Sequence, residues 1–212
     1  VARKAGTMGK EENKEIEFWT QEEFQKFLEC VADKPISYYA FEMLYWTGIR
    51  EGELLALTPA DFNFEKKTLR INKSYQRLEG EDVITDPKTP KNNRTIVMPD
   101  FLAIEMEDFI KSIYGIKMND RIFTISKNYL HHEMDRGAKL AGVKRIRIHG
   151  LRHSHISLLI NLGFSALAIG ERVGHEAIDI TYHYAHLFPT VQTDMAAQLE
   201  TEREALVNVK KE

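Results

Sequence analysis

Apolar positions recur every three or four residues over most of the chain and alternate in only one stretch. Trp19-Thr20-Gln21-Glu22-Glu23-Phe24 opens the first helical run, with Thr20 and Glu23 at capping-box spacing and Trp19 and Phe24 placed for a hydrophobic staple. That helix runs to about Ala32. A second apolar helix covers about Ile36 to Thr47 and stops at Gly48, and a third starts near Arg50 and carries Leu54, Leu55 and Leu57. Between Lys67 and Pro99 the period changes. Thr68-Leu69-Arg70-Ile71-Asn72 and Arg94-Thr95-Ile96-Val97-Met98 alternate as strands do, with Val83-Ile84-Thr85 between them. Turns rich in Gly, Pro and Asn join these three into one small antiparallel sheet. Beyond Asp100 the pattern is helical again, at about 100–114, 127–140, 149–162, 166–173, 177–186 and 190–207, with Gly115, Gly163 and Gly174 as stops. The expected fold is mainly α with a three-stranded antiparallel β insert, an α+β chain. Residues 1–15, rich in Lys, Glu and Gly, read as a flexible linker.

Composition narrows the class. The 212 residues are 43% hydrophobic and 29% charged, too apolar for a disordered chain. No run approaches the roughly 18 apolar residues that span a bilayer, so no membrane partner is expected. One cysteine, Cys30, excludes an internal disulfide framework and a Cys-based zinc cluster, and fits a reducing compartment such as the bacterial cytoplasm. A chain that begins at Val1 is expected to be a fragment or a processed product.

Charge becomes informative once it is mapped. A net charge of −3 and a pI near 6.3 argue against a nucleic-acid binder. Yet from Arg136 to Gly170 there is no Asp or Glu, and Arg136, Lys139, Lys144, Arg145, Arg147 and Arg152 give +6. From Lys66 to Arg94 there are eight basic residues against four acidic. Two basic segments on an acidic body read either as one surface facing a polyanion or as ordinary solvated faces.

All eight histidines lie between His131 and His186, which poses a choice between metal and phosphate chemistry. A zinc site has raw material in His149, His153 and His155, or in His183 and His186, but no His-Glu-x-x-His and no matching Cys or carboxylate pattern. Phosphate chemistry fits better. His149-Gly150-Leu151-Arg152 sets an imidazole and a guanidinium on one face at a helix start, where free N–H groups also favour an anion. Arg50 opens another helix after Thr47-Gly48-Ile49, and two arginines can share the non-bridging oxygens of one phosphodiester. Tyr182 and Tyr184 offer a nucleophile, and on a helix they point about 200° apart, so only one can face the phosphate.

These residues resemble one family. Thr47-Gly48-Ile49-Arg50-Glu51-Gly52-Glu53-Leu54 resembles the first motif of the tyrosine recombinases, the phage-integrase-like enzymes. Pro87-Lys88-Thr89, followed by Arg94 through Pro99, resembles their β-hairpin lysine motif. His149-Gly150-Leu151-Arg152-His153-Ser154 resembles their His-x-x-Arg motif, and Val173-Gly174-His175 with Tyr184-Ala185-His186-Leu187 resembles the closing pair. The resemblance runs from about residue 16 to 190 in family order and is most like phage and conjugative-transposon integrases. It implies a catalytic domain over 16–190 and a C-terminal helix or tail over 191–212.

The resemblance also implies a chemistry. Tyr184 attacks a DNA phosphodiester, forms a 3′-phosphotyrosyl link and releases a 5′-hydroxyl. Arg50 and Arg152 neutralise the non-bridging oxygens, His175 donates to the same phosphate, His149 assists proton transfer at the tyrosine, and Lys88 is the general acid for the leaving oxygen. Glu53 stands three residues from Arg50, either orienting it or simply exposed. Lys73, Arg77, Lys91, Arg94, Lys144, Arg145 and Arg147 are expected on DNA phosphates. Because the covalent link conserves the phosphodiester's energy, neither a metal nor another cofactor is expected. The expected partner is double-stranded DNA.

Two departures from the family matter. The helical domain that usually closes a clamp around DNA is missing from this stretch, so the isolated chain is expected to be monomeric and to bind DNA weakly. The body is also unusually acidic. The apolar row Val191, Met195 and Leu199 is expected to dock on a neighbouring protomer, linking a homotetramer on two DNA sites in the full-length protein. A type IB topoisomerase, with the same chemistry, and a catalytically silent DNA-binding module remain open alternatives.

Overall fold

The first helix starts where its cap dictates. Thr20 accepts a hydrogen bond from the Glu23 N–H at 3.2 Å, and the Glu23 carboxylate accepts from the Thr20 N–H at 2.9 Å, closing the box ahead of α1 (Gln21–Val31). Trp19 is buried, and the ring it meets is Phe27, at 4.7 Å between centroids. The computed structural model describes residues 16–86 and 93–174, with Tyr184 and six further residues between 196 and 203.

Helix α2 (Pro35–Thr47) begins on Pro35, whose missing N–H is no loss in a first turn, and ends at Gly48 with a φ of 65°. Its apolar residues surround it, as in a helix packed on several sides. Phe24 stacks on Tyr45 at 3.7 Å, Phe27 meets Phe41 edge-on at 4.8 Å, and α1, α4 (Asp100–Ser112) and α6 (Ile148–Asn161) all pack against α2. On its far side α1 rests on α5 (Lys127–Ala141) with almost no gap. A β-carbon at Gly137 of α5 would lie 2.5 Å from the Phe27 ring and 2.7 Å from Val31. A second, smaller apolar cluster joins α6 to α7 (Ala166–Val173) through Ile156, Ile160, Ile169 and Val173, and includes Tyr184.

The β-structure departs from the expectation in its pairing. The three-stranded antiparallel sheet has the order β1 (Phe62–Asn63), β2 (Thr68–Ile71), β5 (Arg94–Val97), with Leu69 opposite both Phe62 and Ile96. Val83-Ile84-Thr85 does not join it. It belongs to β4 (Glu81–Thr85), which pairs with β3 (Ser74–Leu78) in a separate hairpin whose turn residues Glu79 and Gly80 both have positive φ. The hairpin buries little beyond Tyr75, so its sequence carries almost no alternation to reveal β3.

Helix α3 (Glu51–Leu55) is a short piece between Gly48 and a single 3-10 turn at Pro59–Asp61. No helix among the described residues is long and apolar enough to cross a membrane. The expected linker at 1–15 lies outside the described residues, as do the helices expected at 177–186 and 190–207 apart from isolated positions. Among those positions Leu199 is exposed.

Candidate active site

Arg50 is the residue before α3, and its position is set by its own carboxylate neighbour. The Arg50 N–H donates to Glu53 Oε2 at 2.8 Å, and Nη1 donates to Glu53 Oε1 at 2.9 Å. Nη2 reaches the Gly174 carbonyl at 3.3 Å, past the end of α7. Arg152, one turn into α6, is only 2% exposed. It donates through Nη1 to the Gly48 carbonyl and through Nη2 to the Val173 carbonyl. The two arginines thus hang from adjacent carbonyls at the C-terminus of α7, where unpaired C=O groups and the negative end of the helix dipole suit a cation. Among the described residues the buried Arg152 Nε has no partner. Burial, then the charges of Arg50 and Arg94, push the Arg152 pKa down to about 9, against the pull of Glu53 and Tyr184. It stays charged at neutral pH.

Tyr184 is 3% exposed, and its hydroxyl makes a short hydrogen bond with Nδ1 of His153. Burial raises the phenol's pKa above its usual 10, and the positive charge of Arg152 opposes that rise. His149 sits one turn earlier, its ring edge-on to His153 at 4.8 Å. Desolvation of the ring, then the charges of Arg152, Arg50 and Arg147, lower its pKa and favour neutral imidazole.

Arg50 and His149 line one cleft of about 840 Å³, bounded by α3, the β3–β4 hairpin and the start of α5. Glu53, which the sequence left either orienting or exposed, is 5% exposed and holds Arg50. The nearby charges of Arg94 and Arg50 and their hydrogen bonds outweigh burial and keep its carboxyl below the usual carboxylate range. Lys88, Lys91 and His175 lie outside the described residues.

The expected DNA-facing cations divide. Lys73 and Arg77 line the cleft, Lys73 tied to Asp61 at 2.5 Å and Arg77 to Asp82 at 3.2 Å. Arg147, ahead of α6, is exposed. Lys144 and Arg145 do not line the cleft; Arg145 pairs with Asp135 at 2.7 Å and Lys144 sits over the Phe18 ring. Arg94 is buried instead of facing solvent. It is 9% exposed and grips Glu53 with both terminal nitrogens, so it cannot reach a phosphate without breaking a buried pair. Sequence reasoning passed over Lys127 and Asn128, which open α5 on the cleft behind the capping residue Ser126. It also gave His153 no part beside the tyrosine, naming it among possible zinc ligands and within the His-x-x-Arg stretch. The helical spacing of Ser126 ahead of a basic first turn was the available signal for Lys127, whereas nothing local signals that His153 meets Tyr184, 31 positions away.

A family model described as the phage integrase family matches residues 17–190. This chain belongs to the phage integrase family. Among its curated relatives, the ICEBs1 integrase of Bacillus subtilis strain 168 is 29% identical over 202 residues, 88% of this chain and 55% of the relative. The integrase of Staphylococcus phage L54a is 30% identical over 179 residues, 76% of this chain and 51% of the relative. The chain therefore spans about half the length of the curated relatives it matches. The fold is that of solved integrase structures. The Tn1549 transposon integrase in complex with circular intermediate DNA matches with a TM-score of 0.69 at 24% identity, over 87% of this chain and 66% of that one. The catalytic domain of bacteriophage HP1 integrase matches with a TM-score of 0.61 at 20% identity, over 87% of this chain and 95% of that one. The mainly helical architecture with small antiparallel sheets is thus the architecture of integrase catalytic domains.

Proposed function

We propose that this member of the phage integrase family is the catalytic part of a site-specific DNA recombinase, cutting and rejoining double-stranded DNA through Tyr184 to integrate and excise a mobile element. The observation that carries the reading is the convergence of Arg50, Arg152 and Tyr184. Two guanidinium groups share the end of α7, and the phenol lies against His153, the residue after Arg152. The Tyr184 oxygen attacks phosphorus, the bond to the 5′-oxygen breaks, and a 3′-phosphotyrosyl ester forms. The phenol's proton leaves towards the imidazoles beside it, and Lys88 supplies a proton to the departing 5′-oxygen. Arg50 and Arg152, the latter with its spare buried Nε, neutralise the charge that builds on the non-bridging oxygens. Rejoining reverses the same steps. Each step exchanges one phosphodiester for another, so the chemistry closes without nucleotide hydrolysis.

His175 is the proposed second donor to the phosphate. Lys73, Arg77, Lys91, Lys127 and Arg147 are the proposed backbone contacts, which give binding a steep salt dependence. In the full-length protein we place four protomers on two DNA sites, linked by the C-terminal residues 191–212, whereas this chain alone is monomeric.

The test is a duplex carrying element-end sequence with a nick just 3′ of the cleavage position, offered to the full-length protein. The released fragment diffuses away and traps the covalent complex as an SDS-resistant band. The expected band persists in EDTA and is lost in Tyr184→Phe. A band that Tyr184→Phe still forms removes the nucleophile assignment, and a band that needs a divalent metal removes the mechanism. Relaxation of supercoils without partner exchange would favour a topoisomerase instead.

A further inference from the structure

Three consecutive carbonyls at the end of α7 each accept a hydrogen bond from a different arginine. Arg172 O accepts from Arg94 Nε at 3.0 Å, Val173 O from Arg152 Nη2, and Gly174 O from Arg50 Nη2 at 3.3 Å. Arg50 and Arg152 belong to the proposed phosphate site. Arg94 does not, because its remaining nitrogens are spent on Glu53: Nη1 donates to Oε1 at 3.0 Å and Nη2 to Oε2 at 2.8 Å. The same two carboxylate oxygens hold Arg50, Oε1 by its Nη1 and Oε2 by its backbone N–H. Glu53 is therefore a bridge between a cation that can meet the phosphate and one that cannot.

We propose that Arg94 is a positioning residue for strand cleavage, fixing Arg50 through Glu53 and the end of α7 through the Arg172 carbonyl. The inference rests on the recombinase reading. Its physical content is geometric. A planar guanidinium that holds both carboxylate oxygens fixes the plane of the carboxylate, and the carboxylate then fixes the guanidinium of Arg50. The third nitrogen of Arg94 ties this plane to the end of α7, whose Val173 carbonyl accepts from Arg152, so the two phosphate-binding arginines are set relative to each other. Arg94 also opens β5, the strand directly after the segment 87–92 that contains Lys88. A lysine at this position would reach one oxygen and leave the plane free to turn.

The charged groups acting on Glu53 are Arg94 on β5 and Arg50 just ahead of α3, and Glu53 is itself felt by Arg152 on α6. Removing Arg94 leaves a buried carboxylate with half its partners, and its pKa must rise. At low pH it then protonates and loosens Arg50; at higher pH it ionises and holds Arg50 again.

The experiment measures the saturating rate of covalent-complex formation and the DNA affinity on the nicked duplex. It uses the full-length protein as wild type, Arg94→Met, Arg94→Lys and Arg94→Met with Glu53→Gln. Misplacement of a phosphate ligand by about 1 Å can cost about 100-fold, and that is the loss expected for Arg94→Met at unchanged DNA affinity. Arg94→Lys is expected to lose about tenfold or more, since charge without the fork does not hold the plane. The residual rate of Arg94→Met is expected to climb with pH along a limb absent from the wild type, and Glu53→Gln removes that limb. A purely structural role for Arg94 would lower stability without creating it. A wild-type rate in Arg94→Met, or a loss that disappears at saturating DNA, overturns the proposal. If Arg94→Met does not fold, Arg94→Lys decides, and a full rate from it is equally fatal. No Tyr184-dependent complex from the wild type overturns the recombinase reading and this inference together, whereas a reactive wild type with an equally reactive Arg94→Met overturns the inference alone.

Discussion

Tyr184 and His153 are joined by a short hydrogen bond between the phenol oxygen and Nδ1, in a pocket where Tyr184 is 3% exposed. Tyr184 belongs to one apolar cluster with Ile156 and Ile160 of α6 and Ile169 and Val173 of α7. The family resemblance gave the proton-transfer role to His149 rather than His153, and His149 is one turn away from it.

This contact makes the first prediction. Burial holds the Tyr184 proton more tightly than in free tyrosine, and Arg152 only partly offsets that. An ultraviolet titration of wild type minus Tyr184→Phe should therefore show no phenolate appearing near pH 10, the ordinary midpoint. His153→Phe should slow covalent-complex formation at least about tenfold, in line with loss of a proton-transfer partner. A phenolate that appears near pH 10 would mean the ring is solvated rather than buried.

A second prediction concerns His155, which lies behind the site. It is 2% exposed and accepts a hydrogen bond from Arg172 Nε at 3.0 Å; burial, then Arg172 and Arg152, push its pKa from 6.5 to about 3. Below pH 6.5 the unfolded chain takes up a proton that the folded chain refuses, so stability present at neutral pH is lost as pH falls from 6.5 towards 3. Between pH 8 and pH 5 that linkage amounts to about 2 kcal/mol. Urea unfolding at both pH values should show wild type losing about that much more than His155→Gln, which keeps an acceptor for Arg172. Parallel losses would place His155 in contact with water.

Glu42 gives the opposite sign. It is 4% exposed on α2, and burial, then the nearby Glu105, raise its pKa from 4.5 to about 7. A raised carboxyl favours the folded state below pH 4.5 and gives up that advantage as pH rises through 7. Glu42→Gln should therefore match wild type near pH 5 and exceed it by about 2–3 kcal/mol near pH 8. Chemical denaturation at the two pH values checks this, and a wild type as stable as the variant at pH 8 would refute it.

Gly48 links stability to the site. Its φ of 65° suits glycine, and a β-carbon there would lie 2.5 Å from the His155 ring. Its carbonyl also holds Arg152. Gly48→Ala should cost about 2–4 kcal/mol in unfolding free energy, from backbone strain plus overpacking. A cost under about 0.5 kcal/mol, the range of ordinary surface substitutions, would show that His155 can move aside.

Local rules settled most of the helical architecture. The Thr20–Glu23 box, the stop at Gly48, the start behind Ser126 and the stop at Gly174 depend on a few neighbouring residues, so their spacing is legible along the chain. The family motifs carrying Arg50, His149, Arg152 and Tyr184 are local in the same sense, and all four residues fall inside the span 17–190 that the family model matches. Pairing is not local. Val83-Ile84-Thr85 has strand character wherever it pairs, and only the Glu79-Gly80 turn and the position of Tyr75 send it to β3 instead of the central sheet.

The charges followed the same division. Arg94 and Arg77 are both strand arginines in a basic stretch, and nothing in their neighbours separates them. Tertiary packing brings Glu53 and the Arg172 carbonyl to Arg94 and buries it, while Arg77 stays exposed against Asp82. Sequence by itself determined which chemical groups this protein has and on which helices they ride. The folded chain decided which guanidinium groups stand at the proposed phosphate site and which are consumed in holding the others, because burial and partner choice depend on residues 41 to 124 positions apart in the chain.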